Sequence, residues 1–169
     1  IKEINFIGDK KIKDKKLLEI IASEEHKFWK FVSNKVYLNQ TLINLDKRLL
    51  ENYYRNLGYY KVNIINSFAE LSDEGSFKLT FNIDAGSKFK IGNAELIIPD
   101  DYNVDNFKKV LNILNEMKNE EYSFTKISKV IDQIDKISLS REYEFITAKI
   151  NEEVVNDNLL NLKIIVSES

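Results

Sequence analysis

His26 is the one histidine, in the stretch "SEEHKFW" beside Glu24 and Glu25. A histidine with flanking carboxylates is the beginning of a divalent-metal site. No second histidine joins it, and the 169 residues contain no cysteine. The ligand set is therefore incomplete, and His26 is expected to be an ordinary surface residue. Carboxylates also gather in "DDYNVD" (Asp100, Asp101, Asp105) and in "DQID" (Asp132, Asp135). The first fits a helix start, where acidic side chains favour the exposed N–H groups, and the second fits the solvent face of a helix. Neither has the central glycine and closing glutamate of a calcium loop. The five glycines are scattered. Each fits a turn or a strand end, so none builds a phosphate-cradling loop. The serines lack a nearby base. The reading is of a non-enzyme, with no catalytic, metal-binding or cofactor-binding residues and no cofactor.

Bulk composition excludes further classes. Apolar residues make up 43% of the chain, enough for globular cores. The net charge of -2, with lysines interleaved among acids as in "DKKIKDKKLLEI", argues against a nucleic-acid partner. No apolar run is long enough for a membrane-spanning helix. The opening "IKEINFIG" reads as a strand already under way, so a segment of a longer protein is expected.

Two aromatic stretches stand out. "HKFWKFVSNKVY" carries Phe28, Trp29, Phe31, Val32, Val36 and Tyr37 and reads as an apolar loop, either a lid on the core or a docking patch. "NYYRNLGYYKVNI" places Tyr53, Tyr54, Tyr59 and Tyr60 around Gly58. It reads as a helix that stops at a left-handed glycine and hands over to a strand. Tyr53 is assigned to the buried stripe of that helix, and Tyr54 or Tyr60 to the surface.

The elements that hold these residues follow from periodicity. Ile4 and Phe6 alternate in a strand closed by Gly8-Asp9. Asp14 caps a helix carrying Leu17, Leu18 and Ile21. From Gln40, a stripe of Leu42, Leu45, Leu49, Tyr53 and Leu57 marks a second helix. "KVNIINSFAEL" and "GSFKLTFNIDAG" are strands, the latter with Phe77, Leu79, Phe81 and Ile83 on one face. The order β-α-α-β-β then repeats. "KFKIGNAELII" is a strand. Val104, Phe107, Leu111 and Leu114 line one helix, and Phe124, Ile127, Ile131 and Ile134 line another, capped by Ser123. "EFITAKINEE" and "NLLNLKIIVSE" close the second copy.

The fold class is therefore α+β, with tandem βααββ modules at residues 1–87 and 88–169. Chain direction makes the first and last strands of each module parallel and the last two antiparallel. A three-stranded mixed sheet with the last strand in the middle satisfies both, and the helix pair covers one face. Val62–Leu71 in the first module and Phe145–Asn151 in the second are then edge strands. The alternation in the first slips between Ile64 and Ile65, as at a bulge.

The stretches "INFIGDKKIKDKKLLEII", "FWKF", "YLNQTLINLDKRLLENYYRNLGYYKV", "AEL" and "FKLTFNIDAGSKFKIG" together resemble POTRA domains, the periplasmic modules of the outer-membrane β-barrel assembly factor BamA. The resemblance covers about the first 95 residues. It rests on Ile4, Phe6 and Gly8, on the Leu-Asp stretch before Tyr53 and Tyr54, on Gly58-Tyr59, and on Ala69-Glu70-Leu71. The first module looks most like the third of that family and the second like the fourth. Beyond Asn103 it rests on element order. Two departures stand: Leu38-Asn39 follows Tyr37 where the family often has Asp-Pro, and Glu142-Tyr143 replaces Gly58-Tyr59 in the second module.

The resemblance implies the periplasmic portion of an outer-membrane protein in a diderm bacterium, joined to neighbouring POTRA modules and a C-terminal membrane barrel. It implies unfolded outer-membrane proteins and lipoprotein subunits of the assembly complex as partners. An open edge without a catalytic constellation suits strand addition. The candidate binding residues are accordingly Val62, Asn63, Ile64, Ile65, Asn66, Ser67 and Phe68, with Gly8, Gly58 and Tyr59 structural. The alternatives are a rigid periplasmic spacer without client binding, the modules of a related secretion translocator, and an enzyme or nucleic-acid binder on a ferredoxin-like sandwich.

Overall fold

The computed structural model describes residues 2–21, 29–32, 35–38, 40–71, 77–140, 143 and 145–168. His26, Glu142 and the "GSF" start at Gly75 and Ser76 lie outside them. The chain divides into two compact units, Ile1–Arg55 with Lys61–Gly86 and Asn56–Tyr60 with Ser87–Ser169.

Unit 1 runs β1 (Lys2–Asp9), α1 (Asp14–Ile20), β2 (Trp29–Val32), β3 (Lys35–Leu38), α2 (Gln40–Asn56, its last residue in unit 2), β4 (Asn63–Leu71) and β5 (Phe77–Asp84). Its main sheet has the order β1-β5-β4. β1 pairs parallel with β5, and β4 pairs antiparallel with it. The alternation of β5 sends Leu79, Phe81 and Ile83 inward, all at most 1% exposed. Ile4 and Phe6 lie opposite Leu79 and Phe81 on β1, and the Phe6 and Phe81 rings stack at 5.8 Å. Leu17 of α1 and Ile43, Leu50 and Tyr54 of α2 are buried as well.

Unit 2 repeats the plan with β6 (Lys90–Ile97), a 3-10 turn (Val104–Phe107) leading into α3 (Lys108–Met117), α4 (Phe124–Ser138), β7 (Ile146–Asn156) and β8 (Leu159–Glu168). The order is β6-β8-β7, with β6 parallel and β7 antiparallel to the central β8. Leu160, Leu162, Ile164 and Val166 of β8 face a core with Phe107, Val110 and Leu114 on one helix side and Ile127, Val130 and Ile134 on the other.

Several expectations are corrected. The buried stripe of α2 is Ile43, Asp46, Leu50 and Tyr54, one residue on from the expected Leu42, Leu45, Leu49 and Tyr53, which are half-buried flanks. In α3 the buried positions include Val110 and Met117, whereas Val104 is 53% exposed and Leu111 half-buried. In α4, Val130 is buried and both Phe124 and Ile131 are half-buried. Lys13, not Asp14, is the N-cap of α1; Asp14 stands in the first turn, where its charge suits the helix dipole. The apolar loop around Trp29 contains paired strands, Trp29 opposite Leu38 and Val32 opposite Lys35, as expected of aromatic and β-branched residues.

Gly8 marks the tightest backbone approach in unit 1. Its φ is 96°, and a Cβ there would run into the carbonyl oxygen of Ile83, its partner on β5. Gly86 also has positive φ, at 70°, but open space around it. Gly86→Ala should therefore cost about 1–2 kcal/mol from backbone conformation alone. Gly8→Ala should cost distinctly more, because β1 must also move off β5. Urea unfolding of the two variants checks this; equal losses would contradict the close approach.

Candidate functional site

The candidate site is the free side of β4. Among the described residues this strand pairs only with β5, and its other side presents N–H and C=O groups that no described strand pairs. Register runs Asn63 opposite Asp84 and Ile64 opposite Ile83, then resumes with Asn66 opposite Asn82. Ile65 is the extra residue, where the alternation of the sequence slips. The consequence is visible in burial: Ile64 is 3% exposed and Ile65 53%. The bulge thus pushes a large apolar side chain outward on the strand.

The structure places Asn63, Ile64, Ile65, Asn66, Ser67 and Phe68 on this strand, and Val62 just before its start. Asn63 and Asn66 are exposed, and Val62 and Ser67 half-buried. Beyond them Leu71 is 56% exposed. No group of acidic or histidine ligands that could hold a metal occurs among the described residues. The chemistry available along β4 is that of backbone hydrogen bonding flanked by asparagine and isoleucine.

The residues at the end of α2 and between α2 and β4 have defined partners. Tyr54, fully buried, donates its hydroxyl to the carbonyl of Lys10 at 2.6 Å, which gives a tyrosine a reason to occupy a core position. Asn56–Tyr60 belong to unit 2. Gly58, at φ 102°, accepts at its carbonyl from the N–H groups of Tyr60 (2.9 Å) and Phe89 (2.8 Å). Tyr60 is half-buried, with its ring 5.4 Å from Phe89 and 5.0 Å from Tyr122. The Lys88 ammonium lies 5.7 Å from the centre of the Tyr59 ring.

Two features were not read from sequence. The Asn56 side-chain oxygen accepts from Ser123 Oγ (2.9 Å) and from Thr125 N–H (3.3 Å), so Asn56 joins Ser123 in satisfying the first turn of α4. Its partner lies 67 positions away, beyond any local pattern. The second is Phe145, expected within the unit 2 edge strand. It sits one residue before β7, at φ 63° and 72% exposed, and a bulky residue in that region is a backbone outlier.

The POTRA family model, described as "Surface antigen variable number repeat", matches residues 1–86. The POTRA3-5 structure of Haemophilus influenzae BamA superposes with a TM-score of 0.74 at 19% identity, over 98% of this chain and 65% of that one. BamA from Haemophilus ducreyi lacking POTRA domains 1-3 gives 0.67 at 13%, over 100% of this chain and 29% of that one. POTRA1-2 of Omp85 from Anabaena gives 0.55 at 9%, over 100% and 96%. The chain thus spans under two thirds of each of the two Haemophilus chains. No helix among the described residues is long and apolar enough to cross a membrane.

Asn56→Ala should remove part of the α4 cap and lower the stability of the chain by about 1 kcal/mol. Asn56→Asp, which keeps the acceptor, should stay near the parent. Thermal or urea unfolding followed by circular dichroism reads the difference; an alanine variant as stable as the parent would show that the cap contributes nothing.

Proposed function

We propose, from the premise that this chain belongs to the POTRA family, that its modules are the periplasmic binding and scaffold portion of an outer-membrane protein assembly or secretion factor in a diderm bacterium. In this reading the full protein continues into neighbouring POTRA modules and a membrane barrel. Its β4 edge receives unfolded outer-membrane proteins as an added strand, and accessory lipoproteins dock on the modules.

One observation carries the reading: β4 is a nine-residue strand with one side unpaired. An unfolded barrel strand entering there gains main-chain hydrogen bonds whatever its side chains are, and that tolerance suits a receiver of many clients. The strand is already held by its pairing with β5, so little ordering cost falls on the receiving side. The bulge favours a second reading. Bulges are among the devices that blunt edges against pairing, and a blunted edge belongs to a rigid spacer.

A proline scan separates the two. Proline at successive positions from Asn63 to Ser67 deletes one N–H at a time, and in an edge strand roughly alternate N–H groups point outward. Binding is measured with a peptide copying one transmembrane strand of an outer-membrane barrel. Proline at outward positions should weaken binding with modest loss of fold, and at inward positions should unfold unit 1, with the alternation offset at Ile65. If every folded variant binds like the parent, the spacer reading replaces this one.

A further inference from the structure

A second surface, on the helices of unit 2, has features that strand addition does not use. Between the start of α3 and the end of α4 lies a groove of about 670 Å³. That volume is within the roughly 300–1,000 Å³ of sites that take small ligands. Ile137 and the ring of Tyr143 supply apolar lining, and Lys108, Lys109 and Lys136 supply positive charge from both helices.

The lining is held in place before any ligand arrives. The Tyr143 hydroxyl accepts from Asn106 Nδ2 (2.8 Å) and from the Asn103 N–H (3.2 Å). Its ring lies 4.5 Å from that of Tyr102 and 5.7 Å from that of Phe107. Tyr102 is in turn fixed by a 2.9 Å hydrogen bond to Glu168. Partial burial, followed by that bond, pushes the pKa of the Tyr102 hydroxyl up to about 12. Asp105 is the one carboxylate among the described lining residues, and it lies 3.6 Å from Lys108. No ion pair engages Lys109 or Lys136 among the described residues. Among the described lining residues three lysines therefore stand against one carboxylate, in a chain whose overall charge is -2.

From this complementarity we propose that the groove docks an acidic peptide segment of a partner protein, its carboxylates on Lys109 and Lys136 and an apolar or aromatic side chain against Tyr143 and Ile137. The lysines reach over the lining and attract a negative segment, and the fixed ring beneath gives it an apolar surface. The proposal does not depend on client binding at β4, because the two surfaces share no residue.

The test uses the 169-residue chain, isotope-labelled, and a capped synthetic peptide, Glu-Asp-Phe-Asp-Glu. Saturable NMR shifts are expected at Lys109, Lys136, Ile137 and Tyr143, weakening as salt rises. The double variant Lys109→Glu/Lys136→Glu, both positions solvent-facing, should fold like the parent by circular dichroism and bind roughly tenfold more weakly. Single changes Lys109→Gln and Lys136→Gln give the same reading should the double variant fail to fold. A peptide with lysine in place of each acid should not bind. Unsaturable shifts spread over the surface, or undiminished binding by the folded variants, would overturn the proposal. So would equal shifts at these residues from inorganic phosphate or phosphatidylglycerol vesicles without saturable binding of the peptide.

Discussion

In each module the strand that comes last in the sequence sits in the middle of the sheet. β5 lies between β1 and β4, and β8 between β6 and β7. The parallel pairing to the first strand needs the helix pair as its crossover, and the hairpin supplies the antiparallel neighbour. The middle strand then carries the core: Leu79, Phe81 and Ile83 in one module, Leu160, Leu162 and Ile164 in the other, none more than 2% exposed. Three strands cannot close on themselves, so this solution always leaves two bare edges. The proposed strand addition depends on how those edges are treated.

The edges are treated differently along the chain. In β4 the register shift falls near the strand's start, between Ile64 and Asn66, and leaves the run from Asn66 to Leu71 regular. In β7 the shift lies at the opposite end, between Val154 and Asn156, beside the tight connection to β8. In β6 it falls between Ile91 and Ala94, where Asn161 reaches across to accept from Asn93 N–H at 2.8 Å. A Cβ on Gly92 would sit 2.7 Å from that same asparagine oxygen, so the irregularity is built around a glycine. Such placements bend an edge locally while keeping part of it straight enough to pair.

Strand order and sheet topology were legible because alternation has a short period and chain direction admits one arrangement for both pairings. The slip at Ile64-Ile65 was legible for the same reason. Helix faces were less so. In α2, leucines at 42, 45 and 49 sit beside the true stripe, and the stripe itself contains Asp46 and Tyr54. Hydrophobicity alone therefore favours the wrong rotation by one residue. The hydrogen bond from Tyr54 to Lys10 gives a hydroxyl a place inside. The β2–β3 pair reads as a loop in the sequence because four-residue strands are too short for a convincing period. Asn56 at the start of α4 was invisible, since nothing local joins it to Ser123.

Amide hydrogen exchange along β4, with and without a saturating barrel-strand peptide, reads strand addition at the backbone itself. Strand addition should add protection at alternate amides between Asn63 and Leu71, shifted by one residue at Ile65, with little change in β1. Peptide binding that leaves every β4 amide exchanging at its free rate would contradict it.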